Sequence, residues 1–450
     1  MADPIAPAVD HLSPPQDRAF FGHPRGLSTL FFTEMWERFS YYGMRAFLIL
    51  YMTAPAASGG LGFGDADAAS VYGTYTGSVW AAAILGGLVA DKLLGQYRTV
   101  LVGGILIALG HFTLAFKSLS TFYAGLVLIV LGTGLLKPNV STIVGSLYET
   151  GDERRDAGFS VFYMGINLGA FIGPLIAGYL AQKVDWHLGF AVAGVGMVLG
   201  LIQYVIGKRH LEPGLTRLRA RSRPEDKTSS GGTGFTADEW KRIAVIFVLF
   251  VFASIFWGAY EQAGSTLNLF GDRYTNNVVF GFAFPSSWYV SVQALFVIIL
   301  APVIAWVWFR LGPRQPSVPS KFALALLFAG LAFLLLVPAA QIAQGGTGIK
   351  VSPLWLVAAY FIEEWGELSL SPVGLSAVSK LAPTRIVSLM MGVFFLSNSL
   401  GNKLAGWTAG FFSTMPLAQL FGAVAAVCLV GALVMFVLVR PVKNLMGGVR

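Results

Sequence analysis

The chain reads as an all-α integral membrane protein, twelve transmembrane helices arranged as two six-helix halves. Three observations predict this. Of its 450 residues, 55% are hydrophobic and only 12% charged, about half the roughly 25% charge of an ordinary soluble domain. Twelve stretches are apolar over the ~20 residues that a bilayer helix requires. The basic residues fall overwhelmingly on alternate loops. A soluble enzyme, a disordered chain and a fibre are excluded on composition. The net charge of +8 belongs to those loops, so no nucleic-acid partner is expected.

The spans run at 27–53, 70–91, 98–116, 119–140, 157–182, 187–207, 241–268, 286–309, 321–340, 353–380, 386–411 and 415–439. With both termini inside, 23 of the 31 Lys and Arg residues lie on inner segments. Only Lys117, Lys183, Arg273 and Lys350 lie outside. That asymmetry sets the orientation. The expected organisation is a cytoplasmic tail at 1–26, a first half at 27–207, a linker at 208–240, a second half at 241–440 and a cytoplasmic tail at 441–450. The linker holds Pro213, Pro224, a Ser-Ser-Gly-Gly run and repeated arginines, the composition of a flexible connection. Cys428 is the single cysteine, so no internal disulfide is possible. The polar N-terminal 25 residues lack the pattern of a cleavable signal peptide.

Span 1 carries Glu34, Glu37, Arg38, Tyr41, Tyr42 and Arg45. Their offsets of 0, 3, 4, 7, 8 and 11 put all six on one stripe of a helix. Ionisable groups at membrane depth are costly and usually face a cavity. Two carboxylates beside one guanidinium cannot both be comfortably ionised there, which makes one a proton carrier. From the end of span 2 into the loop before span 3 runs Gly86-Gly87-Leu88-Val89-Ala90-Asp91-Lys92, with Gly95 and Arg98. Together with the two halves and the basic linker, this stretch resembles the loop motif of the major facilitator superfamily.

Span 4 contains Gly132-Thr133-Gly134-Leu135-Leu136-Lys137-Pro138-Asn139-Val140-Ser141, and span 5 contains Phe162-Tyr163-Met164-Gly165-Ile166-Asn167-Leu168-Gly169. Span 7 has Phe256-Trp257 followed by Tyr260-Glu261-Gln262. Span 10 has Gly366-Glu367-Leu368-Ser369-Leu370-Ser371-Pro372-Val373-Gly374-Leu375-Ser376, and span 11 has Met391-Gly392 with Phe395-Leu396. With E-x-x-E-R-F-x-Y-Y-G over residues 34–43, these motifs resemble, in order over roughly 27–411, the proton-dependent oligopeptide transporter family.

The resemblance implies a proton-coupled symporter that imports di- and tripeptides by alternating access in the cell membrane. It is expected to act as a monomer, without enzyme activity, metal or cofactor, the proton being the coupling ion. Proton handling falls to Glu34, Glu37, Arg38 and Glu261. The five histidines lie away from the charged stripe, and His111 reads as packing or interfacial. Arg45 and Glu261 both sit roughly 28–32 Å from their inner helix ends at ~1.5 Å per residue. A salt bridge between the halves is therefore expected there, and the resemblance implies the same pair. Lys137 and Glu367 form a second expected gate, with looser depths of roughly 28 and 22 Å from the outer side.

A short peptide is a zwitterion, so a promiscuous binder grips its ends. Arg38, Arg45 and Lys137 suit a carboxylate, and Glu261 and Glu367 suit an ammonium. Asn167 can bond the peptide backbone. Tyr41, Tyr42, Trp257 and Phe394 are candidates to line side-chain pockets. Trp80, Gln293, Phe394 and Asn398 depart from the residues common in the family and are expected to reshape the pocket. Glu363 and Glu364 stand nearer the outer surface, where they attract cationic termini or serve no specific role. Lys403 has no assigned partner. No Gly-x-x-x-x-Gly-Lys-Ser/Thr motif is present, which argues against ATP drive. An anion porter, a drug/proton antiporter and a non-transporting nutrient sensor stay open as rival readings.

Overall fold

The computed structural model describes residues 17–149, 151–221, 235–346 and 348–447. The tail residues Asp3, Asp10 and Arg450, and the linker residues Arg223, Pro224 and Lys227, lie outside the described residues. The first half comprises α1 (Arg25–Thr53), α2 (Asp65–Val89), α3 (Gln96–Leu114), α4 (Leu119–Ser146), α5 (Arg154–Gly173), α6 (Tyr179–Lys183) and α7 (Trp186–Ile206). A further helix, α8 (Lys208–Arg221), follows it. The second half comprises α9 (Ala237–Tyr260), α10 (Thr266–Arg273), α11 (Trp288–Leu311), α12 (Val318–Gln344), α13 (Leu354–Leu381), α14 (Val387–Ala409) and α15 (Leu417–Leu445). A short hairpin, β1 (Val278–Val279) with β2 (Phe282–Ala283), links α10 to α11.

Local chemistry sets the helix limits. Pro24 precedes α1, and Ala54 leaves the helix in extended conformation before Pro55, as the residue ahead of a proline prefers. Asp185 caps α7, its carboxylate accepting from the amides of His187 (2.8 Å) and Leu188 (3.3 Å). Thr236 and Glu239 form a capping box at α9. A π-helical turn at Pro174–Gly178 joins α5 to α6, and a 3₁₀ turn at Glu261–Gly264 joins α9 to α10. Glu261 therefore sits at a break in a helix, where irregular backbone borders a cavity.

Nine of these helical segments are long and apolar enough to cross a membrane, among the described residues. The long helices left out of that set are α1, α13 and α14. They are the ones that carry Glu34, Glu37, Arg38 and Arg45, then Glu363, Glu364 and Glu367, then Asn398 and Lys403. Their polar load is what lowers their hydropathy. The outward surface is oily: Leu85 and Leu88 on α2 and Leu433, Phe436 and Val437 on α15 are all more than half exposed, as a lipid-facing belt requires.

The stretch expected as a wholly flexible linker is corrected over residues 208–221, which form α8. Leu211 and Leu215, one turn apart, bury themselves beside Leu147 and Tyr148. Arg217 donates to the carbonyls of Ser146 (3.2 Å) and Leu147 (3.0 Å), satisfying carbonyls left open at the end of α4. The basic residues around Leu211 and Leu215 mask this short apolar face in a reading by composition.

Candidate functional site

The site lies between the halves and is built from α1 outward. Arg38 lies 3.3 Å from Glu34 and pairs also with Glu37, and all three are buried. One oxygen of each carboxylate and one guanidinium nitrogen have no partner among the described residues. The cluster thus sets two carboxylates in direct contact with one guanidinium in a low-dielectric place, with the Lys137 ammonium acting on Glu34 from farther off. The guanidinium of Arg38 also stands 5.2 Å from the Tyr41 ring.

Two turns along α1, Arg45 reaches across to the second half. Its guanidinium pairs with the Glu261 carboxylate, and its Nε donates to the Tyr72 hydroxyl at 2.7 Å. Arg45 and Glu261 are both buried, which raises the cost of breaking the pair one partner at a time. Tyr42 and Tyr72 flank the guanidinium at 5.8 and 5.9 Å. Asn268 donates to the Ala46 carbonyl at 2.6 Å just beyond.

Beneath the Arg45–Glu261 pair is a cavity of about 50 Å³, walled by Tyr42, Arg45 and Asn167 from one half and Tyr260, Gly264 and Gln293 from the other. A pocket that accepts a small organic ligand is typically several hundred Å³. This one holds a few waters at most, so it does not by itself hold a peptide. Two acids of α13 stand behind its wall: Tyr260 donates to Glu364 at 3.0 Å, and Gln293 reaches Glu363 at 3.5 Å.

Several predicted residues stand apart from this cavity. Trp257 is buried against Phe256 and Tyr260. Phe394 is buried where α14 faces Gly374 of α13, and Asn398 and Glu367 are also buried. The expected Lys137–Glu367 pair is not formed in this conformation, among the described residues. The Lys137 ammonium instead lies 3.5 Å from the centroid of the Trp80 ring. Lys403 finds a partner in Thr74 of the first half, at 2.6 Å.

The hydrogen bonds described between the halves gather toward the face opposite the chain termini. Ser399 donates to the Gly77 carbonyl (2.7 Å), Ser291 to the Phe171 carbonyl (2.7 Å) and Trp288 to the Leu175 carbonyl (3.1 Å). Gln182 donates to Ser286 and accepts from the Ser287 amide, each at 2.9 Å. Arg273 pairs with Asp65 at 2.6 Å. That distal face is closed. Asp65, Gln182 and Arg273 had no signal in the sequence beyond being charged or polar loop-end residues.

The chain is similar to known proteins in sequence and in fold. A model described as POT family matches residues 97–213 and 230–427. The peptide transporter YePEPT of Yersinia enterocolitica is 38% identical, over 96% of this chain and 97% of the relative. A di-/tripeptide transporter of Lactococcus lactis is 36% identical, over 96% and 99%. A crystal structure of a peptide transporter, POT, in complex with sulfate superposes with a TM-score of 0.88 at 40% identity, covering 96% of this chain and 98% of that one.

Proposed function

The chain belongs to the POT family of peptide transporters, and on that basis we propose that it is a proton-coupled symporter for di- and tripeptides, working by alternating access. Its twelve long helices each cross the cell membrane, with both termini cytoplasmic and the distal face outward. It acts as a monomer. The relatives named as peptide and di-/tripeptide transporters support the substrate class. The observation that carries the mechanism is the buried Arg45–Glu261 pair, which joins the halves directly above the cavity.

In this cycle the outward-open protein takes a peptide and a proton from outside. The proton lodges in the cluster of Glu34, Glu37 and Arg38 or on Glu261, and balances the surplus of carboxylate there. A protonated Glu261 releases Arg45, which is then available to the peptide carboxylate. Lys137 is the second candidate for that carboxylate, and Glu367 takes the peptide ammonium. Asn167 and Gln293 bond the peptide backbone, while Tyr41, Tyr42, Trp80, Trp257, Phe394 and Asn398 shape the room for side chains. Closure of the distal face, then opening of the face that carries the termini, delivers peptide and proton inside. Lys137 and Glu367 close the inner side when it shuts. One charge moving inward releases about 2.3 kcal/mol per ~100 mV, enough for more than a tenfold gradient of peptide.

The test is uptake of labelled dialanine into proteoliposomes acidified outside, with and without a protonophore. Accumulation above equilibrium that collapses with protonophore is the expected result. No uptake by folded protein would move the reading to an anion, a drug or a sensing role.

A further inference from the structure

Lys137 stands at a weak point of its helix, immediately before Pro138, which interrupts the α4 hydrogen bonding. An ammonium at membrane depth has to be compensated by something. Among the described residues no carboxylate lies within ion-pair distance of it. The carboxylates of Glu34, Glu37 and Glu261 act on it from farther off, and in direct contact with it is the face of Trp80 on α2, 3.5 Å from the ring centroid. Trp80 in turn is stacked on Phe395 of α14, with ring centroids 6.3 Å apart and planes 17° from parallel. Ammonium, indole and phenyl make a column that starts in the first half and ends in the second.

We propose that Trp80 is a positioning residue for Lys137: its indole face holds the ammonium whenever the cation has neither a peptide carboxylate nor Glu367, and its stack on Phe395 ties that position to the spacing of the two halves. The proposal rests on the peptide-transport reading for its place in the cycle. When peptide leaves toward the termini, Lys137 must give up a carboxylate while the inner gate stands open and Glu367 is out of reach. The indole offers a third partner at that moment, and it is the best of the aromatic faces for a cation. When α14 moves to close the gate, Phe395 moves with it and the column is disturbed, which frees Lys137 to pair again.

The test is a substitution series at Trp80, made to Tyr, Phe and Leu, in the parent protein and in Lys137→Gln. If the ring face holds the ammonium, dialanine counterflow in the Lys137 background falls in the order Trp, then Tyr and Phe, then Leu, with W80L down about tenfold and the two aromatic variants within about threefold. In the Lys137→Gln background the gap between Trp and Leu shrinks to what the shape of the pocket alone leaves. The thermal unfolding midpoints of the same eight proteins supply a readout that needs no transport: W80L lowers the midpoint more when Lys137 is present than when Lys137 is replaced, the remainder being the lost stack on Phe395. Additive midpoints, or equal losses in both backgrounds, would mean that Trp80 only packs and would overturn the proposal. Coupled midpoints in a protein whose parent form takes up no dialanine would uphold the Trp80–Lys137 contact and sink the peptide reading instead.

Discussion

Arg273 and Asp65 meet fork to fork across the distal rim, with Nη1 2.6 Å from Oδ2 and Nη2 2.7 Å from Oδ1. Asp65 opens α2 in the first half and Arg273 closes α10 in the second. Ser413 adds a hydroxyl bond to the same carboxylate, and the Phe412 ring lies 5.4 Å from the guanidinium. The preceding residue, Asp272, accepts from Gln182 of α6 at 3.4 Å. The last turn of α10 thus holds the first half at two places, outside the cavity where substrate and proton act.

Asp65→Asn keeps the shape of this latch and removes its charge. The pair is bidentate but its arginine is about one-third exposed, so its worth is about 1 kcal/mol after solvent screening, roughly fivefold in population. Spin labels on the distal ends of α2 and α10 are expected to show a longer-distance population growing by that factor. An unchanged distance distribution would assign the closed state to the other contacts between the halves, those of Arg45, Gln182, Trp288 and Ser291 among them.

Gly73 and Gly406 bring α2 and α14 together between the halves. A Cβ on Gly73 would lie 2.8 Å from the Gly406 Cα, and a Cβ on Gly406 would lie 2.6 Å from the Gly73 Cα. Backbone atoms cannot yield as a side-chain tip can, so the helices must part. Gly406→Ala is therefore expected to open the distal face more than Asp65→Asn does and to slow uptake about tenfold or more. The same label pair reads the first effect and dialanine influx the second.

The spacing within α1 made its share of the site legible, because offsets of three and four along a helix define one face whatever surrounds it. Helix rise also placed Arg45 and Glu261 at matching depth, and they pair. Lys137 and Glu367 came out at unequal depths, and here they stand apart: the spacing within either helix does not say which residue of another helix it meets. Asp65 and Arg273 are 208 positions apart, on different halves, and each alone is an ordinary loop-end charge. The one hint was that Arg273 belongs to the four cations on the outer segments. The start of α2 at Asp65, earlier than the apolar stretch that begins at 70, was hidden by Asp65 and Asp67, which are polar but favourable in the first turn of a helix.

On the face that carries the termini, His23 tethers the N-terminal segment through a 3.0 Å bond between its Nδ1 and the Tyr148 hydroxyl. Burial, and then the nearby Arg154 guanidinium, hold the His23 imidazole below its usual range near 6.5. A histidine whose folded value is lowered binds more protons when released, so its contribution is intact above about 6.5, begins to fall away below that and is lost as pH drops through the lowered folded value. Amide exchange at Phe20 and His23, whose backbones bond each other at 2.8 and 3.0 Å, is expected to quicken between pH 7.5 and 5.5 beyond the intrinsic change. His23→Gln is expected to flatten that trend, and a trend that survives the substitution would move the effect to another group.

Glu37→Gln separates carrying a proton from holding the fold. The substitution is close to isosteric and leaves Glu34 within 3.3 Å of Arg38, so one carboxylate faces one cation and the surplus is gone. If that surplus is what a proton balances, dialanine uptake driven by a pH gradient falls roughly a hundredfold. Counterflow, in which labelled peptide exchanges for unlabelled without net proton movement, stays within about threefold. The sizes follow from losing a coupling step while keeping the binding contacts. Equal loss of both activities would make Glu37 a structural partner of Arg38, since a broken buried pair damages every state alike. Full retention of gradient-driven uptake would place the transported proton on Glu34, Glu261 or Glu367, and the same two assays on Gln variants of those residues would then find it.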